Sequence, residues 1–310
     1  MNRLVHIDPS WHPLARGHAP AWASEWGEDR YGVFAAFTLG DITQRLRWIP
    51  AGRFRMGSPD SETKGLAQQP YERAWFDREH PQHDVYITRG FWLFDTPCTQ
   101  ALWEAVMGDN PSRFQSPDRP VEQVSWDDVQ TFLARIEERL PGLGLSLPTE
   151  AQWEHACRAG TETALYTGPI EILGERNAPA LDPIAWYGGN SGEGYDLTKG
   201  ENSSGWPEMQ YPNAKSGTRP VGLKAPNPWG LYDMLGNVWE WCADGRRTYD
   251  EHWQQDPVGP SEPGAGRVIR GGSWSVPARR CRSACRHRDA LFDRLSARGS
   301  LGFRCARVQA

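Results

Sequence analysis

Apolar and polar positions divide the chain into a strand-rich first third, three helices, a long aperiodic stretch and an alternating end. From Arg45 the run RLRWIPAGRFRMGS alternates as a pair of strands does, with Pro50-Ala51-Gly52 as its turn. His83–Leu93, HDVYITRGFWL, reads as a further strand after a polar loop. Three helices follow. The first begins after Thr99, carries Leu102, Trp103 and Val106 on one side, and stops at Gly108. Ser125, with Asp128 three residues on, opens the second, in which Trp126, Val129, Phe132, Leu133, Ile136 and Leu140 keep helical spacing. Thr149 and Gln152 form the capping box of the third, which is expected to expose Glu150, bury Trp153 and Ala156, and end before Gly160. From Gly160 to Asn227 the periodicity lapses, and connections of that length are commonly functional or ligated by ions. Ahead of Arg45, AWASEWGEDRYGVFAAF reads as a short amphipathic extension. The expected division is an extension, 1–44, packed on a main domain, 45–310.

The end of the chain has two motif-like borders and an unusual middle. Arg270-Gly271-Gly272-Ser273-Trp274 places two glycines where a backbone without Cβ turns or approaches another segment closely. Leu301–Val308 alternates as a half-buried terminal strand. Between them, Ser275–Ser300 holds many arginines and a histidine, with no lysine, glutamate, glutamine, methionine or tryptophan.

Composition narrows the class. The 310 residues include 16 Trp, 32 Gly and 25 Pro, and this with a mean hydropathy of −0.66 describes a loop-rich protein with an aromatic core. A net charge of −5 gives no general attraction to nucleic acid or acidic lipid, apart from the local arginines of 279–288. No apolar run approaches the roughly 20 residues that span a bilayer, and the first residues lack a signal-peptide core, so the expectation is a cytoplasmic protein. The six cysteines lack paired CxxC spacing, which argues against structural zinc.

Six blocks in order, IPAGRFRMGS at 49–58, PCTQALWEAVMGDNPSRF at 97–114, RPVEQVSWDDVQTF at 119–132, LPTEAQWEHACRAG at 147–160, GLYDMLGNVWEWCAD at 230–244 and the terminal RGGSW…LGFR, closely resemble the formylglycine-generating enzyme / sulfatase-modifying factor family. The resemblance implies an α+β, elaborated C-type-lectin-like fold, loop-rich with little regular secondary structure and often calcium-bound. The two borders and the unusual composition between them make 275–300 the stretch expected to carry function.

The family is functionally mixed, so the site must decide among three branches. Its oxidising members hold copper with two cysteines after the GGS motif. Here the second position matches Cys281 while the first falls on Val276, and one thiolate does not supply the two-sulfur coordination that selects Cu(I). Cys285 lies off the motif position. Formylglycine generation, or a related metal-dependent oxidation, is therefore the alternative reading. A second branch, resembling iron-dependent sulfoxide synthases, uses histidines of an additional helical domain. His80 and His83 are the nearest pair here and read instead as surface loop histidines.

The third branch comprises the variable proteins of diversity-generating retroelements, in which adenine mutagenesis rewrites AAC-type codons to NNC. Such codons cannot encode Lys, Glu, Gln, Met or Trp, the residues missing from 275–300. The leading expectation is thus a non-catalytic protein whose C-terminal surface binds a protein ligand. Trp274, Arg282, Arg286 and Arg294 read as framework. Ser275, Val276, Pro277, Arg280, Cys285, His287, Asp289, Leu291, Phe292, Asp293 and Leu295 read as the adjustable surface, crossing the outer face of the domain. Equally open is that Arg279, Arg282, Arg286 and Arg288 only pair with carboxylates of the loop region.

The resemblance also implies one structural calcium ion, with carboxylates of Asp233 and Glu240 and backbone carbonyls of Gly236 and Val238 as a partial shell. It places Cys157 and Cys305 close in space, as reduced, packed thiols.

Overall fold

The structure is a computed structural model and describes residues 12–13, 19–67, 69–262, 266–289 and 299–308. Along the chain come β1 (Glu25–Asp29), β2 (Gly32–Leu39), β3 (Ile42–Ile49), β4 (Gly52–Met56), the helical turns α1 (Asp60–Thr63) and α2 (Arg73–Phe76), β5 (His83–Ile87) and β6 (Phe91–Phe94). Helices α3 (Gln100–Met107), α4 (Trp126–Arg139) and α5 (Glu150–Arg158) follow, then the short β7 (Glu201–Asn202) and β8 (Lys215–Ser216). The chain continues with β9 (Trp239–Gly245), β10 (Gln254–Gln255), β11 (Arg267–Arg270), β12 (Arg286–Asp289), β13 (Leu301–Gly302) and β14 (Ala306–Arg307).

The helices start where the sequence places them because each start is a local hydrogen bond. Thr99, Ser125 and Thr149 accept from Leu102, Asp128 and Gln152 backbone N–H groups, and the latter two caps are reciprocated as capping boxes. The strands depart from expectation in their partners. β3 and β4 do not form a hairpin: β3 joins the sheet β1-β2-β3-β6-β14, and β4 joins β10-β5-β4, so Pro50-Ala51-Gly52 carries the chain between sheets. His83–Leu93 likewise breaks at Thr88–Gly90 into β5 and β6, one in each sheet. Alternation reports which face a residue takes, not which strand lies beside it. Residues 25–39 form two strands of the larger sheet, and the expected boundary at 44 falls inside β3. A third sheet, ordered β12-β11-β9-β13, gathers the two borders of the terminal segment around β9.

Two apolar clusters fill the molecule. One lies among β4, β5, α5 and the 231–235 loop; the other covers the larger sheet with α3 and α4, where Trp103 stacks on Phe132 at 5.5 Å between ring centroids. The terminal Leu301–Ala306 is buried throughout rather than on alternate residues, since β13 and β14 enter two different sheets. Glu150 is fully buried, against expectation, because an arginine meets it there.

Candidate functional site: the C-terminal segment and its frame

The segment begins at β11. Gly271 and Gly272 take φ of +97° and +79°, and a Cβ on Gly272 would lie 2.8 Å from Cys281 Sγ, so this turn accepts no side chain. The backbone then runs through Trp274, whose indole Nε1 donates to Gly299 O at 2.7 Å and so ties the start of the segment to its end. Trp274 packs on Phe114 edge-on, with centroids 5.1 Å apart, and stacks against Trp206 at 5.9 Å.

Four buried arginines hold the frame. Arg270 donates from Nη1 to Ala284 O at 2.8 Å and from Nη2 to Glu154. Arg282 donates to Glu79 at 2.9 and 2.7 Å and to Glu62 at 2.6 Å. Arg286 holds both oxygens of Glu150, and Arg304 holds both oxygens of Glu240 at 2.8 Å each. Arg279 adds a bond to Glu72 at 2.5 Å. Arg279, Arg282 and Arg286 therefore do pair with carboxylates, but these come from 60–80 and α5, not from the loop region 160–227. Burial works to raise the Glu154 carboxyl, yet Arg270 and Arg158 hold it below the ordinary range.

This frame decides which of the expected surface residues face outward. Ser275, Val276, Pro277, Arg280 and His287 are half-buried, with the Arg280 guanidinium 3.9 Å from the Trp75 ring centroid and His287 5.9 Å from Trp239. Cys285, expected at the surface, is 5% exposed and belongs to the core, as do Ala278, Cys281, Arg282, Ser283 and Ala284. The stretch from 278 to 286 thus lies mostly within the fold rather than across its outer face. Arg286–Asp289 pairs as β12 with β11, with Asp289 opposite Arg267. Leu291, Phe292, Asp293, Arg294 and Leu295 lie outside the described residues.

The metal expectations can be tested on the donors. Val276 supplies its carbonyl to Gly188 N at 3.0 Å, and Cys281 is the sole sulfur on the motif positions. Burial raises both thiols, Cys281 strongly and Cys285 to about 11. With Val276 at the other motif position, the two-sulfur copper site of that motif does not fit. For calcium the four expected ligands do not fit as a set. Glu240 is engaged by Arg304 through both oxygens and also accepts from Trp153 Nε1 at 2.7 Å. Asp233 is equally buried but pairs with no charged group among the described residues: its carboxylate accepts from Gly222 N at 2.7 Å and from Asn237 Nδ2 at 3.4 Å, and burial raises it to about 6. His80 bonds Thr63 Oγ1 at 2.8 Å at the protein's edge, whereas His83 is buried, 1% exposed, with its Nδ1 3.1 Å from Pro81 O. Cys157 faces Ser283 Oγ at 3.7 Å, and Cys305 lies by Cys98 in the other apolar cluster, so the expected Cys157–Cys305 neighbourhood is not formed.

Patterning does not single out the partners that build this site. Glu62, Glu72 and Glu79 sit in what reads as a polar loop, and Trp206, which stacks on Trp274, comes from aperiodic sequence. The one available signal is the density of acidic residues ahead of β5, matching the arginine density of the segment.

Fold and site together define a loop-rich α+β protein of the formylglycine-generating-enzyme type, with a clamped C-terminal segment. The family model described as the sulfatase-modifying factor enzyme 1-like domain matches residues 40–309, and the chain belongs to that family. It is 33% identical over 243 residues to the chaperone protein LppX of Paenibacillus barcinonensis, covering 68% of this chain and 76% of that one. It is 32% identical over 241 residues to the formylglycine-generating enzyme of Thermomonospora curvata, covering 73% of this chain and 67% of the relative. Among solved structures it is similar to variable protein 1 of Treponema denticola, with a TM-score of 0.64 and 26% identity over 88% of this chain and 98% of that one. No helix among the described residues is long and apolar enough to cross a membrane.

Proposed function

We propose that the protein is a non-catalytic binding protein of the retroelement variable-protein type, which presents part of its C-terminal segment to a protein ligand in the cytoplasm. The observation that carries this reading is the division of labour within one short stretch. Trp274, Arg282 and Arg286 are locked into the core, while Ser275, Val276, Pro277, Arg280 and His287 between and beside them retain solvent exposure. Exchange at the second set leaves the clamps intact. The likeness to the Treponema denticola variable protein and the residue usage of 275–300 support the same reading. The adjustable set is narrowed by the fold: Cys285 leaves it for the frame.

The test is the nucleotide sequence beside the gene. An imperfect repeat of the segment differing at adenines, next to a reverse transcriptase gene, supports the reading; no such repeat removes its retroelement component. The enzymatic alternative predicts copper uptake and oxygen consumption on a cysteine-containing peptide, and Val276 at the position of the first copper-binding cysteine weighs against it. Calcium belongs to the proposal only through Asp233, and calcium titration of the protein with and without Asp233→Asn tests it.

A further inference from the structure

Near both ends of the segment lie buried arginine donors without an acceptor among the described residues. Arg119 is 0% exposed, and among the described residues only its Nη2 is engaged, by Asp196; Nε and Nη1 have no partner there. Arg219, 8% exposed, donates from Nη1 to Glu193 O at 2.8 Å, and its Nε has no partner. The two guanidinium groups meet across one ring: Tyr195 has Arg119 at 5.4 Å and Arg219 at 5.9 Å from its centroid. Each arginine also acts on Asp196, whose side chain is 58% exposed.

A guanidinium buried with most of its fork unmet is a costly arrangement, and the fork matches a planar carboxylate or a phosphate. The Asp196 carboxylate acts on both cations, and Glu193 acts on Arg219 as well. Glu122, the other carboxyl near Tyr195, bonds neither arginine: it accepts from Phe114 N at 2.8 Å. The place of the group in the fold ties it to the segment. Gly217 is pressed against Tyr195 and Phe114, Phe114 packs on Trp274, and Ser191 Oγ, next to the carbonyl that faces Arg219, donates to Trp274 O at 2.8 Å.

We propose that Arg119 and Arg219 form an oxyanion site that takes a carboxylate or phosphate group of the ligand, and that Asp196 occupies part of it in the free protein. This rests on the binding-protein reading and names the chemistry that its ligand brings. Binding then exchanges a single-oxygen contact for a multidentate one, and the exposed Asp196 moves out to solvent.

The experiment is titration of the full-length protein with inorganic phosphate and, separately, with acetate, against chloride at equal ionic strength, following the arginine Nε–H resonances by NMR. The expected result is saturable movement of the Arg119 and Arg219 signals with at least one oxyanion. Movement with acetate alone assigns a carboxylate, and movement with phosphate alone assigns a phosphate group. Asp196→Asn is expected to tighten binding by roughly tenfold, since it removes the internal competitor. Arg219→Gln is expected to abolish the response while near-ultraviolet circular dichroism stays native. Resonances that respond to neither anion beyond the chloride control, or an Asp196→Asn variant with unchanged affinity, overturn the site. That failure is separable from failure of the functional reading, because the anion titration uses neither the repeat search nor a protein ligand.

Discussion

Arg286 grips Glu150 by both carboxylate oxygens, with Nε 2.7 Å from Oε1, although 136 positions separate them in the chain. The pair joins the first turn of α5 to β12 and is almost wholly buried on both sides. A buried ion pair adds little beyond an apolar contact of equal size, but removing one member strands the other in a medium of low polarity. Its structural consequence is a segment whose backbone cannot shift while the clamp holds.

Arg286→Ala is therefore expected to lower unfolding free energy by about 3–5 kcal/mol, the range for breaking a buried pair from one side. Arg280 stands in the same stretch but is half-exposed over Trp75, so Arg280→Ala is expected to cost no more than about 1 kcal/mol. Urea unfolding of the two variants checks the contrast. Equal losses would show that the segment has no adjustable positions at Arg280.

Local and distant determinants differ in how far they can be read from sequence. Thr149 and Gln152 cap α5 across three residues, and such a signal is complete within a short window. Glu150, one residue on, is misread as exposed because its partner lies far along the chain. The same holds for Glu62, Glu72 and Glu79, whose arginines are more than 200 positions away. The six motif blocks point to the fold because together they span the clamps, cores and turns that define it. The pairing of β3 and β4 with separate sheets, and the meeting of Arg119 with Arg219 at Tyr195, depend on contacts between segments far apart in the chain, so no spacing rule reveals them.

The thiols give a second prediction. Cys98, Cys157, Cys242, Cys281, Cys285 and Cys305 are all buried and unpaired, and burial raises each above the ordinary thiol range. Native protein at pH 8 is expected to react with a disulfide reagent over hours, and guanidinium-unfolded protein within minutes. Rapid labelling of Cys281 in the native state, located by peptide mass, would reopen the catalytic alternative.

Glu122 gives a prediction in pH. Burial raises its carboxyl from an ordinary 4.5 to about 7, so the folded protein binds a proton that the unfolded chain has released. The sign follows: the contribution is fully present below pH 4.5 and is lost as pH rises through about 7. Glu122→Gln keeps an acceptor for the Phe114 N–H and cannot ionise. The variant is expected to match the parent at pH 4.5 and to exceed it by about 1–3 kcal/mol at pH 8. Urea midpoints at the two pH values measure the difference, and a variant that gains nothing at pH 8 would contradict the assignment.

The binding reading stands or falls on neighbours with opposite surroundings. Trp274 is 2% exposed, meets Phe114 and Trp206, and bonds Gly299, so Trp274→Ala removes a large buried ring and is expected to cost about 3–5 kcal/mol. Ser275, the next residue, is half-buried, and its hydroxyl meets Ser273 only at 3.4 Å. Val276 and Pro277 are also partly exposed, and Val276 contacts both apolar clusters through one face. Replacing Ser275 with Asp, His or Arg is expected to change stability by no more than about 0.5 kcal/mol, as at ordinary surface positions. Pro277 is expected to accept Ser or Ala at a similar cost, and Val276 to accept only apolar replacements. A thermal-shift series across these four positions supplies the measurement. If Ser275 and Pro277 prove as costly to change as Trp274, the stretch is core and displays nothing. If they are free while Trp274 is not, the chain holds a rigid frame around positions open to exchange, which is the physical requirement for a surface adapted to its ligand.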